Sequence, residues 1–479
     1  MSLTITSPAF KANARAAIAD TQLQRALSRG LGFVARRQQA ADQLPEFEAL
    51  RDAARDIKNH TFAHLDLYLE AYEERVRAQG GQVHYAVTAD EARAIVLGIC
   101  RQVSAKTVTK GKTMIAEEIG LNDFLEENGI QAVETDLGEY IIQIRHETPS
   151  HIIAPAFHLN KDQVEADFRR VHTHLPKDRN LADPAALLAE ARAVLRERFL
   201  AADVGITGAN FLVAETGTSI IVTNEGNADL TQTLPKVHIV VASIEKLVPT
   251  LEDASQLLRV LARSATGQEM SAYTTLTTGP RRPTDPDGPL AYHVIILDNG
   301  RSAMLGGAFE DMLRCIRCGA CMNHCPVFGV VGGHAYGWVY PGPMGAVLTP
   351  TLIGVDQAGH LPNASTFCGR CEEVCPVRIP LPRMMRSWRE REFERHLSPA
   401  SVRGGLALWA FCVKRPVLYG LATAMAGRLL AFLGASSVRF RWLPLASHWT
   451  RYRDFPAPQG TTFQAQWRRR HGRQFGRAK

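Results

Sequence analysis

CIRCGACMNHCP (residues 315–326) and CGRCEEVCP (residues 368–376) hold seven of the nine cysteines in this 479-residue chain. The first run reads C-x2-C-x2-C-x3-C-P through Cys315, Cys318, Cys321 and Cys325. The second repeats it through Cys368, Cys371 and Cys375 and lacks only the opening cysteine. This is the spacing of bacterial two-cluster ferredoxins, in which three thiolates wrap one cubane and the fourth, before proline, reaches the other cluster. A structural zinc site made of C-x2-C pairs would need neither the third cysteine nor the Cys-Pro ending. The sequence therefore predicts iron–sulfur chemistry and a chain that moves electrons.

The cross-over rule assigns the ligands. Cluster 1 takes Cys315, Cys318 and Cys321 and is closed by Cys375. Cluster 2 takes Cys368 and Cys371 with Cys325 returned from the first run. Its fourth position falls on Ser365, three residues before Cys368. Iron in a sulfide cluster prefers softer sulfur ligands to a serine oxygen. Two [4Fe–4S] clusters are expected, with the second left open between a [3Fe–4S] form and a non-cysteine or vacant fourth site. A vacant iron would suit a substrate; an atypically ligated relay is the plainer alternative.

Working outward, the chain is 46% apolar and 22% charged, the composition of a soluble globular protein long enough for two or three domains. Cysteines grouped for metal, and not spread as a disulfide framework, argue for a reducing cytosol. Cys100 and Cys412 read as buried thiols. The net charge of +7 is concentrated at the end: residues 436–479 carry nine arginines and Lys479 against one acid, Asp454. Such a tail could dock a partner subunit, lie solvated, or meet an anionic surface. No nucleic-acid module accompanies it. The N-terminus is Arg-bearing and amphipathic and reads as a mature helical arm, not a transit peptide. The uncharged stretch 326–355 holds too many glycines and prolines for a simple spanning helix. The stretch 417–435 reads as a core or interfacial helix, so no integral membrane span is expected and the location is cytoplasmic or peripheral to the inner membrane.

Residues 1–80 form a helical arm, with Leu23, Leu27, Leu31 and Val34 at helical spacing. From 81 to 304 strands alternate with helices, which predicts an α/β layered domain with a mostly parallel sheet. The strand candidates are QVHYAV, QAVETD, EYIIQI, HIIAPAF, FLVAET, TSIIVTN, VHIVVAS and YHVIILDNG. Helices are expected near 114–128, 160–172, 184–200 and 250–266, and Thr88 with Glu91 forms a capping box for another. GPRRPTDPDGP (279–289) reads as an irregular loop before the last strand. Residues 305–390 form the ferredoxin-type domain, and 391–479 a helical, basic region. The two cysteine runs are the only internal repeat.

Two polar constellations interrupt the apolar strands. One is Glu134, Asp136 and Glu139 around Gly138. The other is Asn210, Glu215, Thr216, Gly217, Asn224, Glu225 and Gly226. They read either as ligand groups beyond the carboxyl edge of a sheet or as turns satisfying their own backbone. TKGKT (109–113) ends like a phosphate loop, but Lys106 stands where the first glycine is required. Lys106, Lys110 and Lys112 remain a candidate basic edge. His238 and His293 read as packed core histidines, and His146, His151 and His158 show no metal-ligand spacing. No G-x-G-x-x-G follows a strand, so no flavin or nicotinamide fingerprint is present.

KTMIAEEIGLNDFLEENGI, ETDLGEYIIQI, PSHIIAPAFH, GITGANFLVAETGTSIIVTNEGN and HVIILDNGRS resemble the lactate-utilisation (LUD) domain. With the cysteine runs behind them, the chain resembles the iron–sulfur B-subunit family of the three-component bacterial L-lactate utilisation system. The CGxCxxVCP form of the second run, without a first cysteine, is that family's form too. The resemblance implies a NagB/RpiA-like α/β fold and an oxidoreductase component in a complex that converts L-lactate to pyruvate. It implies two partners, a cysteine-rich heterodisulfide-reductase-like subunit and a smaller LUD-domain subunit, and it supplies no catalytic base. A redox-sensing metabolite-binding protein, or an electron-transfer subunit of another 2-hydroxyacid dehydrogenase, is the alternative.

Overall fold

Short runs of β-branched residues between helices build a six-stranded, wholly parallel sheet in the computed structural model, which describes residues 5–28, 30–434, 438–443, 446–450 and 453–475. The strands are β1 (Gln82–Ala86), β2 (Thr107–Gly111), β3 (Gln131–Glu134), β4 (Val204–Thr207), β7 (Val237–Ser243) and β10 (Ala291–Leu297). Their order is β1-β10-β7-β4-β2-β3. The interior strands β10 and β7 run in register from Ala291 opposite Val237 to Leu297 opposite Ser243. Both strands are almost wholly buried, as expected of a parallel sheet covered on both faces. One face packs on the helices Ala89–Gln102 and Leu121–Glu127 through Val96, Ile99, Leu121 and Leu125. The other packs on the helix Leu65–Ala78 through Tyr72 and Val76.

A second, four-stranded sheet has the order β8-β5-β6-β9. It comprises β5 (Phe211–Val213), β6 (Thr218–Thr223), β8 (Leu247–Val248) and β9 (Tyr273–Thr277). Its residues Phe211, Val213 and Ile220 share one core with Phe47 and Leu50 of the N-terminal helices and with Met312, Ile316, Val347 and Trp388 around the cysteines. Residues up to Glu392 accordingly form one compact unit.

Three sequence expectations change. EYIIQI lies in the helix Leu137–Arg145, because the Asp136 carboxylate caps its N-terminus by accepting from Gly138 N at 2.9 Å. HIIAPAF forms no strand: Ser150 N and Oγ both donate to Pro155 O, at 3.0 and 2.8 Å, and close the segment into a loop. The helix Pro416–Leu433 has no buried residue, so it is not a core helix; Ala435 lies outside the described residues. It is long and apolar enough to cross a membrane by length and composition.

The second unit, from Phe393, contains the helices Ala400–Val413 and Pro416–Leu433. It also holds a two-stranded ribbon of β11 (Arg439–Phe440) and β12 (Phe455–Pro456) and the helix Phe463–Phe475. Within it Cys412 is only partly buried, whereas Cys100, in the sheet domain, is fully so.

Candidate functional site

The two cysteine runs repeat in backbone as well as in letters. Arg317 and Phe367, each just before a cysteine, take positive φ values of 60° and 54°. Gly319 and Gly369, each just after it, take 74° and 81°, a conformation glycine adopts without penalty. A one-turn helix follows each, Ala320–Asn323 and Arg370–Glu373. This left-handed pair of residues curls each run around a hollow.

One hollow is lined by Cys315, Cys318, Cys321 and Cys375, with apolar walls from Met312, Ile316, Met344, Ile379 and Leu381. The other is lined by Cys325, Cys368 and Cys371, with His324, Ser365 and Thr366 beside them. Ile379 N donates to Cys375 Sγ at 3.4 Å. Backbone N–H groups of Ala320, Phe328 and Glu372 likewise point at Cys318, Cys325 and Cys371. Burial pushes the Cys371 thiol up to about 12 and raises Cys318, Cys321, Cys325 and Cys375 as well. Thiols so crowded are poor anions alone and good ligands once a metal supplies positive charge. Soft donors in a set of four and a set of three, dry walls and N–H groups aimed at sulfur fit iron–sulfur clusters.

Cations crowd around the first hollow. Arg51 donates to Cys375 O from Nε at 3.1 Å and Nη2 at 2.8 Å, and Arg37 Nη2 donates to Val374 O at 2.9 Å. Both residues come from the N-terminal arm, so that arm braces the second cysteine run. Lys58 Nζ donates to Glu245 O at 2.5 Å and Leu247 O at 3.0 Å, and burial pulls its pKa down to about 7. Arg301 is wholly buried and pairs with Glu118 at 2.5 Å and Glu245 at 3.0 Å. Glu245 also meets Arg317 at 3.0 Å, and Tyr340 Oη donates to Glu118 at 2.7 Å. This network ties the turns after β7 and β10 to the first cysteine run. Sequence reasoning missed it, since its members lie far apart in the chain and no spacing links them.

A cavity of about 600 Å³ opens beyond the carboxyl edge of the parallel sheet. Residues just after β2, β3, β4 and β7 line it: Lys112 and Thr113, Asp136, Gly208 to Asn210, and Lys246. Ligands enter α/β sheets at this edge. Arg317 and Cys318 form part of its wall, so it reaches the first hollow. Of the residues singled out from sequence, Asp136, Gly138, Glu139, Asn210, Asn224 and Glu225 come together here.

Others do not. Glu215 accepts from Leu251 N at 3.2 Å, and Gly217 makes a left-handed turn against the backbone of Val76. Glu134 pairs with the buried Lys110 at 2.7 Å, while Lys106 is exposed, so the three lysines form no common edge. His238 and His293 are buried, bonded to Thr207 Oγ1 at 2.8 Å and to His84 at 3.1 Å. His158 meets Glu147 at 2.7 Å, with His334 nearby, a grouping the scattered spacing concealed. Lys246 also went unnoticed, sitting unmarked in an apolar run. Burial and the neighbouring Arg317 pull its pKa down to about 8.

Comparisons with known proteins agree with this layout. Residues 69–297 match the LUD domain, 311–379 a 4Fe-4S dicluster domain, and 382–472 the C-terminal region of lactate utilisation protein B. Lactate utilization protein B of Macrococcus caseolyticus is 43% identical over 470 residues, 97% of this chain and 98% of its own length. That of Bacillus licheniformis is 43% identical over 433 residues, 90% of each chain. YkgF of Escherichia coli, described as an uncharacterized electron transport protein, is 40% identical over 474 residues, 98% of each. A solved DUF162 family protein from Deinococcus radiodurans covers 49% of this chain and 98% of its own at 14% identity. Its TM-score of 0.28 is too low to bear on function. Such identity over nearly the whole length, with a parallel-sheet LUD domain leading into a 4Fe-4S dicluster domain, means that the chain belongs to the lactate utilization protein B family.

Proposed function

We propose that the chain is the iron–sulfur electron-transfer subunit of a cytoplasmic complex that oxidises L-lactate to pyruvate. The observation that carries this reading is the lining of the first hollow. Thiols from both cysteine runs share it, and one of them, Cys318, also faces the cavity at the sheet edge. Cys315, Cys318, Cys321 and Cys375 would hold cluster 1, and Cys325, Cys368 and Cys371 cluster 2, whose hollow Ser365 and His324 also line. When bound, the two clusters supply adjacent one-electron acceptors, which suits a two-electron oxidation taken in two steps.

The chain's own residues set the conditions for that role. Arg37, Arg51 and Arg314 hold carbonyl groups of the 374–378 segment and leave fixed positive charge beside the thiolates. Arg317 adds charge from the sheet side. Cationic surroundings favour the more negative, reduced state and so raise the reduction potential. The apolar walls of Ile316, Met344 and Leu381 keep water from the sulfurs. A cysteine-rich subunit and a smaller LUD-domain subunit complete the complex.

The test is anaerobic. The chain is purified with its partner subunits, iron is counted, and EPR spectra are recorded before and after L-lactate. About seven or eight irons per chain and a reduced-cluster signal on adding lactate are expected, since both ferredoxin-type sites should be filled. Clusters that dithionite reduces and lactate does not would move the assignment to another electron donor or to redox sensing.

A further inference from the structure

Among the ionisable side chains at the 600 Å³ cavity, Lys246 is in an unusual position. It is 7% exposed, it lines the cavity, and among the described residues its ammonium has no hydrogen-bond or ion-pair partner. The acid next to it in sequence, Glu245, is already held by Arg301 and Arg317 at 3.0 Å each. The other cation reaching in from the sheet edge, Lys112, has Asp136 at 3.6 Å. The Glu139 carboxylate accepts from Lys112 N at 3.1 Å. Among the described residues the Lys246 ammonium therefore has no carboxylate in contact and shares the field of Glu245 with two arginines, a placement that is costly unless an anion meets it. A second group on the cavity wall is also unsatisfied: Thr223 is 3% exposed and its Oγ1 has no partner.

The turn that presents Lys246 is fixed from behind. Lys58 Nζ holds Glu245 O and Leu247 O, the carbonyls on either side of Lys246. Fixing those carbonyls leaves the Lys246 side chain free to serve the cavity. Ile141, Ile152, Ile221 and Leu261 add apolar lining to the cavity.

We infer that this chain itself binds a small hydroxycarboxylate in the cavity, with Lys246 taking the carboxylate and Thr223 Oγ1 a hydroxyl or second oxygen. This rests on the proposed role in lactate oxidation and assigns its substrate-binding site to this subunit, not to a partner. The cavity exceeds the needs of a three-carbon acid, and the anion fills only its Lys246 end. Arg317 and Cys318 belong to the same wall, so the bound anion sits beside cluster 1. A negative charge there disfavours the reduced cluster, so binding and reduction potential are coupled.

The test uses the full-length chain, anaerobic and loaded with iron and sulfide, with L-lactate as the probe. Calorimetry gives the Kd, and redox titration followed by EPR gives the cluster potential with and without lactate. Saturable binding is expected, with a downward shift of the cluster 1 potential on binding. K246Q should weaken binding at least tenfold and abolish the shift, while K246R should recover most of both. T223V, nearly isosteric, should weaken binding several-fold. Iron content and circular dichroism establish that each variant is folded and loaded. Lactate bound equally by wild type and K246Q, or no binding to the loaded wild-type chain, overturns the inference. Failure of the electron-transfer reading shows differently: clusters that lactate cannot reduce even with all partner subunits present, whatever Lys246 does.

Discussion

Cys375 stands alone among the seven clustered cysteines in lining the hollow of the opposite run's first three thiols. Its carbonyl is also the acceptor for Arg51, and its sulfur accepts from Ile379 N. Cys375→Ala should therefore lose the cluster held with Cys315, Cys318 and Cys321 and disturb the second run as well. Iron should drop by at least half relative to wild type. An unchanged iron count would remove the cross-ligation scheme. A second residue-scale prediction concerns His238, which is fully buried and whose pKa desolvation pulls down to about 3 from 6.5. The folded state keeps it neutral while the unfolded chain takes up a proton below 6.5. Its contribution is thus intact above pH 6.5 and is lost as pH falls toward 3. Between pH 6 and 4, His238→Gln should flatten the pH dependence of unfolding free energy by about one proton, roughly 1.4 kcal/mol per pH unit. Urea unfolding at several pH values checks this; parallel curves for the two proteins would refute it.

At the scale of elements, the turns after β7 and β10 carry the junction between sheet and cysteine runs. Arg301 fills that junction, wholly buried between Glu118 and Glu245. Arg301→Met leaves the buried Glu118 carboxylate with only the neutral donors Tyr340 and Asn299 and leaves Glu245 with Arg317 as its remaining ion-pair partner; breaking a buried pair in this way typically costs about 3–5 kcal/mol. Chemical denaturation should show a loss of that order, and a loss under 1 kcal/mol would mean that the carboxylates find other partners or protons. The same scale shows what the sequence could and could not reveal. β7 and β10 were legible because continuous β-branched runs suit a strand buried on both faces. The helix Leu137–Arg145 was not, because a short apolar run looks alike as strand or helix, and only the Asp136 cap decides it. β2 was hidden by Lys110, a charge that a strand interior tolerates only because Glu134 and Glu117 meet it. β9 was hidden too, since a partly exposed edge strand such as Tyr273–Thr277 carries little apolar signal. The acid-glycine segments at 134–139 and 224–226 marked the sheet edge, yet Lys246 and Thr223, equally on the cavity wall, left no mark. Their significance lies in partners they lack, and sequence spacing does not report that.

For the whole molecule, the division of the chain separates redox chemistry from a different kind of surface. All seven clustered cysteines and the core around them lie in the unit ending at Glu392. Beyond it, the helices Ala400–Val413 and Pro416–Leu433 hold no buried residue and expose Trp409, Phe411, Val417, Leu421, Met425 and Phe432. Apolar surface gathered in this way is typical of interaction sites, and on the proposed role the arginine-rich stretch after it would attract an acidic partner. A chain ending at Glu392 should therefore keep its iron content and its reduction by dithionite. It should lose most of its association with the partner subunits, and with it the reduction of its clusters by lactate in the assembled mixture. The two halves of this prediction fail independently. Loss of iron on truncation would mean that the cysteine unit depends on residues after 392 for its fold. Undiminished co-purification of partners would mean that docking uses the LUD or ferredoxin surface. In that case the exposed helices would need another occupant, such as a lipid surface, which the length and composition of Pro416–Leu433 allow.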